Sequence, residues 1–368
     1  IEILGFFFGS NTAFLGYGEG GVILEGALEA DCTIDSSYTN VVASLSIDDD
    51  TIADVFNVEE SKILCSTPGG VGKNMSWYVE VGNQTSNVAP TLTSYRPPII
   101  TSMTQSDWPF DTRGGDQVTF SGMYFGPRSL PDGVRTVTGY YGSEIQFLDD
   151  TRFSTMSDSC VVRQDDTLMV CQTGEGTGTN HSWVLDVSSQ NSNTFDALSR
   201  YSSPLIQFFS VDDSYPELYP EDTTSYNTRG GEGVIVSGAQ FGPASFTGGY
   251  EAEIVAVATY TDEATGVASP WTYENCTITT DHFEMICYTT SGVGAPLSWK
   301  IWVDGQVNTI ATTSYGPPVV NEIVGVGFNI SDGLNTKGDE SILLIGENFG
   351  PTMEYVESIS FGPSGYEY

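Results

Sequence analysis

The sequence predicts an all-β protein of tandem β-sandwiches arranged as an elongated rod. Three observations carry this: a spacing that recurs, a strand pattern that recurs with it, and a composition suited to strands and turns. Three times a cysteine is followed twelve residues later by the tryptophan of a Ser-Trp pair, Cys65 to Trp77, Cys171 to Trp183 and Cys287 to Trp299. Self-similarity at a fixed spacing marks repeated structural units. With 41 glycines, 19 tyrosines and 19 phenylalanines, and short apolar runs broken by Gly, Pro, Asn and Asp, the chain favours strands and turns over helices.

Each tryptophan opens a strand: Trp77-Tyr-Val-Glu-Val81, Trp183-Val-Leu-Asp-Val187 and Trp299-Lys-Ile-Trp-Val303. First, third and fifth residues are apolar, so each strand has one face for a core, and the three tryptophans read as core residues rather than as a platform for carbohydrate. Downstream stands a tyrosine ahead of a proline-containing junction, Tyr95-Arg-Pro-Pro98, Tyr201-Ser-Ser-Pro204 and Tyr315-Gly-Pro-Pro318. Proline removes a backbone donor and restricts the residue before it, so these are stiff, extended boundaries. Past each junction come Arg113-Gly-Gly, Arg229-Gly-Gly or Lys337-Gly-Asp, a short apolar strand, a glycine (Gly122, Gly238, Gly346) and then Phe-Gly-Pro at Phe125, Phe241 and Phe349. A weaker copy without Phe-Gly-Pro is read at Gly18-Glu-Gly-Gly-Val-Ile-Leu-Glu-Gly26. The units are expected at 1–97, 98–204 and 205–317, with the first half of a fourth at 318–368.

This order of motifs resembles the IPT/TIG family of immunoglobulin-like domains, found in plexins and in large surface proteins, over nearly the whole chain. The resemblance implies tandem immunoglobulin-like sandwiches with structural or adhesive work. The 33-residue interval from Cys32 to Cys65 departs from the 11-residue intervals of the other two pairs. The fourth unit stops before its cysteines, which makes the sequence a window on something longer.

Six cysteines pair as Cys32 with Cys65, Cys160 with Cys171, and Cys276 with Cys287; an even count without Cys-x-x-Cys favours disulfides over zinc and places the protein outside the cell, secreted or on the surface. Asn-x-Ser/Thr sequons at Asn74, Asn83, Asn180, Asn275 and Asn329 agree, and Asn74 and Asn180 stand at the same place, three residues before the repeat tryptophan. N-linked glycans are the expected covalent attachments. No apolar stretch approaches the roughly 20 residues of a membrane helix, so no membrane insertion is expected of this segment.

Twelve basic against 48 acidic residues give a formal net charge of −36, which repels nucleic acid and excludes it as a partner. Acidic pairs could bind Ca²⁺ through carboxylate oxygens, with Asp212 and Asp213 behind a junction as the candidates, yet no EF-hand spacing is present and a solvated acidic face is the plainer reading. The only histidines, His181 and His282, lie in different repeats, with no Gly-x-Ser-x-Gly or His-Glu-x-x-His around them, so the chain is expected not to be an enzyme. The glycine-rich turns at Gly69–Gly72 and Gly174–Gly178 lack the Lys-Ser/Thr of a phosphate loop. The function expected is that of an extracellular structural segment which joins copies of itself into a filament. The alternative is a receptor or adhesion ectodomain that binds a protein or glycan.

Overall fold

In the computed structural model of the chain the described residues are 2–6, 14–19, 28–29, 31–48, 51–81, 84–106, 108–130, 135–142, 153–211, 225–245, 251–262, 265–325 and 334–362. Their regular structure is strand, apart from one 3-10 turn at Met353–Tyr355. The chain is all-β, built of several mainly antiparallel sheets.

The second unit shows the plan most completely. One sheet runs in the order Val161–Gln164, Leu168–Gln172, Gln117–Met123, Ile99–Gln105. The other is built on Val137–Gly142 and His181–Val187, with Phe153–Ser154, Gln190–Asn191 and Phe195–Ser199 at its edges. Alternation sends Ile100, Val118, Phe120 and Met169 from the first sheet and Tyr141, Trp183 and Leu185 from the second into one buried core. Trp183 lies stacked on Tyr141 with ring centroids 4.0 Å apart. All three repeat tryptophans are buried, and each finds a hydroxyl for its indole N–H: Trp77 on Thr93 (2.7 Å), Trp183 on Ser199 (2.9 Å), Trp299 on Thr313 (2.6 Å).

The third unit repeats this arrangement with its layers joined. The long strand Ala268–Thr280 pairs with Ile254–Thr261 through its first half and with Glu284–Tyr288 through its second. Register shifts between Glu274 and Thr277 turn it from one layer to the other.

Cys276–Cys287 is a disulfide across adjacent strands, and Cys160–Cys171 joins the residue just before Val161–Gln164 to the neighbouring strand Leu168–Gln172. Cys65 is also disulfide-bonded, and Cys32 stands directly opposite it in the pair Asp31–Asp48 and Thr51–Ser66. The longer interval is thus a longer hairpin that closes at the same cross-strand place. Closing an 11-residue loop contributes about 3 kcal/mol through the unfolded state. Non-reducing peptide mapping is expected to recover both short pairs intact; free thiols there would remove the extracellular reading.

One sequence expectation needs correction. The weaker copy read at Gly18–Gly26 does not hold the place of Gln117–Met123: Gly18 and Glu19 belong to Phe14–Glu19, which pairs with the Trp77 strand in the other sheet, and 20–26 lie outside the described residues. Glu2–Phe6 holds that place, because it pairs with the strand carrying Cys65 as Gln117–Met123 pairs with the strand carrying Cys171. The glycine-rich run resembled the motif in composition, but the apolar Ile3-Leu4-Gly5 with Phe8-Gly9 beyond carries its order of residues.

In the fourth unit Val319–Gly325 and Ile342–Glu347 form a two-stranded sheet. Its register matches that of Ile99–Gln105 with Gln117–Met123, shift included.

The inter-unit joint as candidate functional site

The feature that recurs with fixed geometry is the seam between consecutive units. On one side stands the junction tyrosine. The hydroxyls of Tyr95, Tyr201 and Tyr315 donate to the carbonyls of Pro68, Gly174 and Thr290 at 2.8, 2.7 and 2.7 Å. Each ring lies flat against a glycine of the turn before the tryptophan strand; a Cβ on Gly70, Gly176 or Gly292 would come within 2.6, 2.4 or 2.7 Å of ring atoms. That close approach is why these turns are glycine-rich, and it replaces any phosphate-cradling role.

The next unit supplies the other side from the hairpin after its tryptophan strand. Gln190 Nε2 donates to the Tyr95 carbonyl at 2.9 Å, and Gln306 Nε2 donates to the Tyr201 carbonyl at 2.7 Å. Gln306 Oε1 also accepts from the Gly178 N–H at 3.1 Å, and the Thr177 hydroxyl donates to the Asp304 carboxylate. A buried amide that satisfies a carbonyl and an N–H of its neighbour fixes orientation as well as distance.

A second contact comes from the residue before Phe-Gly-Pro. Tyr124, Gln240 and Asn348 all have positive φ, which turns their side chains back on the preceding unit. The Arg96 guanidinium donates to the Tyr124 hydroxyl (2.8 Å), Gln240 Oε1 accepts from the Thr112 N–H (2.9 Å), and Asn348 Oδ1 accepts from the Thr228 N–H (3.4 Å). The middle residue of the glycine turn fills the seam: Val71 packs on Gly126 and Val293 on Gly350, where a Cβ would come within 2.3 and 2.9 Å.

His282 serves the seam between the second and third units, whereas His181 lies in the core of the second. The buried His282 bonds the Thr112 hydroxyl through Nδ1 at 3.0 Å, with Nε2 3.7 Å from Glu175. His181 is 1% exposed among the rings of Tyr141, Phe153 and Tyr201, and desolvation holds its imidazole down at about 4. At Asp111 the Arg113 side chain, hydrogen-bonded at 2.9 and 2.7 Å, holds the carboxyl down at about 2.

The remaining sequence candidates are dispersed. Asn74 and Asn180 are both exposed and both in the left-handed region, φ 58° and 59°, at the mouth of matching turns; Asn275 is exposed in a strand beside Cys276. Asn83, Asn329, Asp212 and Asp213 lie outside the described residues. Among the described residues no three His, Cys, Asp or Glu side chains converge as a metal site, and no helix is long and apolar enough to cross a membrane. Chain expressed in an N-glycosylating eukaryotic host is expected to carry sugar on Asn74 and Asn180. Peptide mass spectrometry after enzymatic deglycosylation checks this, and bare asparagine at both positions overturns it.

No protein-family profile matches the chain, and no curated protein matches it. Eleven chains of solved structures bear a distant likeness, and two of them are described here. The first is "SGBP-B from a complex xyloglucan utilization locus in Bacteroides uniformis", at 11% identity and TM-score 0.21, over 67% of this chain and 60% of that one. The second, described as a crystal structure "with xylogluco-oligosaccharide", has 12% identity and TM-score 0.26, over 82% of this chain and 59% of that one. The chain thus spans about three fifths of each. Likeness at these scores carries no argument about function.

Proposed function

We propose that this chain is a non-enzymatic, extracellular structural segment of tandem IPT/TIG-like units, a stiff spacer that holds glycans and neighbouring domains at set positions. The observation that supports it most is the repeated joint, in which Gln190 and Gln306 reach back to the Tyr95 and Tyr201 carbonyls through the same hairpin position. Short proline-rich connections together with side-chain locks restrict the bending that units on free linkers would have. Cross-strand disulfides belong to an oxidising compartment, and an acidic surface keeps such a rod dispersed.

Small-angle scattering tests the reading. The native chain is expected to give an elongated profile that a single conformation fits. Gln190→Ala with Gln306→Ala strands a carbonyl at each seam, costs each about 1–3 kcal/mol, and should spread the distribution of maximum dimensions. A native profile of independently tumbling units would sink the proposal.

A second reading, a surface module that binds a glycan, rests on Trp108. Its ring is 44% exposed, with the Arg200 guanidinium 5.5 Å from its centroid, a surface on which a sugar could stack. Titration of the native chain and Trp108→Ala with soluble oligosaccharides, xylogluco-oligosaccharide among them, decides it. Saturable quenching of tryptophan fluorescence lost in the variant supports it; no binding removes it.

A further inference from the structure

The second and third units share a fold and differ on the outer face of the sheet that holds the disulfide. In the third unit that sheet runs Leu205–Val211, Gly233–Ala239, Glu284–Tyr288 and the second half of Ala268–Thr280. Alternation turns Val234, Val236, Met285 and Cys287 into the core, so Ile235, Ile286 and Tyr288 stand on the other side, with Ile235 opposite Ile286 across the strands. Phe208 joins them through the register shift that follows Ile206. Phe208 is 56% and Tyr288 is 42% exposed. Register places Ser102, Thr119 and Gln172 of the second unit where the third has Phe208, Ile235 and Tyr288. In the first unit Glu2 and Ser66 hold the places of Ile235 and Tyr288. An outer face this apolar is a cost in water unless something covers it.

The same unit differs at a second point on that face, its sequon. Asn275 precedes Cys276, whereas Ser159 precedes Cys160 and Asp31 precedes Cys32, so of these three units the third alone has a glycan acceptor beside its disulfide. Asn275 lies in the bulge between Glu274 and Thr277, exposed and with φ 51°, and Glu274 is the cross-strand partner of Tyr288. Thr277, the hydroxyl residue of the sequon, is the partner of Ile286. The acceptor therefore stands one residue from the margin of the apolar face, which extends from Tyr288 to the row of Phe208 over about 13 Å of strand.

We propose that the N-linked glycan on Asn275 folds back onto this face, its first N-acetylglucosamine rings laid on Tyr288 and on the Ile235–Ile286 pair. This rests on the reading of the chain as an extracellular segment that carries glycans, and it gives one of those glycans a structural task. A pyranose ring has a face of C–H groups that stacks on an aromatic ring and on branched aliphatic side chains, while its hydroxyls stay hydrated at the rim. The Thr277 hydroxyl and the Glu284 carboxylate, which accepts from the Thr280 hydroxyl at 2.8 Å, border the face and offer partners to those hydroxyls. Charge favours the same occupant: a neutral sugar meets no repulsion here, whereas a second copy of a chain with formal charge −36 would.

Hydroxyl-radical labelling of the full chain from an N-glycosylating host tests this, read by peptide mass spectrometry before and after enzymatic removal of the glycans. Tyr288 is expected to be labelled severalfold more slowly in the glycosylated chain, with the exposed Trp108 of the second unit labelled at an unchanged rate. Removing the glycans should also lower the folded-to-unfolded ratio of the third unit about tenfold, read as an earlier urea transition of that unit. In Tyr288→Gln, which installs the second unit's residue at an exposed position, glycan removal should shift that transition much less. The labelling of the native chain stands whether or not this variant folds. Bare Asn275 overturns the proposal, and bare Asn74 and Asn180 beside it overturn the glycan-bearing reading as well. Sugar on Asn275 with Tyr288 labelled equally in both forms overturns the docking and leaves that reading standing. Tyr288 shielded in both forms, with a dimer in sedimentation, assigns the face to a second copy and overturns the glycan as its occupant.

Discussion

Replacing Trp183 by alanine is expected to cost the second unit about 3–5 kcal/mol, which would leave it unfolded or nearly so in a domain of ordinary stability. Trp183 is fully buried, stacked on Tyr141 and packed against Phe120 with centroids 5.3 Å apart. Its removal opens a cavity between the two sheets and strands the buried Ser199 hydroxyl that accepts the indole N–H. Urea unfolding followed by near-UV circular dichroism should show one transition shifted to much lower denaturant while those of the other units hold. Trp108→Ala, at an exposed ring, should move nothing by more than about 0.5 kcal/mol. A Trp183→Ala chain with an unchanged profile would mean that the inter-sheet core does not hold this unit.

That core was legible in the sequence because a buried strand writes its face as alternation, and the repeat wrote it three times, at Trp77, Trp183 and Trp299. The all-β class was legible in the same repeat together with the composition, and the cysteine pairs in their even count and spacing. The joint was harder to read. Gln190 and Gln306 are polar residues that open the returning strand of a hairpin, where a glutamine ordinarily faces solvent, and only the adjoining unit gives them a carbonyl to cap. The signal was nevertheless there in the spacing, since a glutamine follows each repeat tryptophan by seven residues. The first unit was misread for a related reason. Glycines fix where backbones cross but not which strand they belong to, and pairing with the Cys65 strand assigns Glu2–Phe6 rather than the richer glycine run.

Acidification is expected to loosen the second unit between pH 6.5 and about 4, through His181. Burial among Tyr141, Phe153 and Tyr201 favours the neutral imidazole, and Nδ1 has no hydrogen-bond partner among the described residues to stabilise a charge. The folded chain therefore takes this proton near pH 4, whereas the unfolded chain takes it near the ordinary 6.5. Across that window the unfolded state holds more protons, so stability falls as pH falls, by about 3 kcal/mol in all before it levels off below the folded value. Asp111 acts lower down: its carboxyl, depressed to about 2, contributes stability above 3.8 that is lost as pH drops through 2, so the two effects separate along the pH axis. His181→Leu, neutral at every pH, should lose the slope between 6.5 and 4 while keeping the one below. The measurement is urea midpoint against pH for native and variant chains, followed by near-UV circular dichroism. Because His181 lies against Gly178, whose N–H reaches Gln306, the native chain should also become more easily cleaved near residue 204 in the same window. Equal slopes in the two chains between pH 6.5 and 4 would show that His181 is not held neutral by burial.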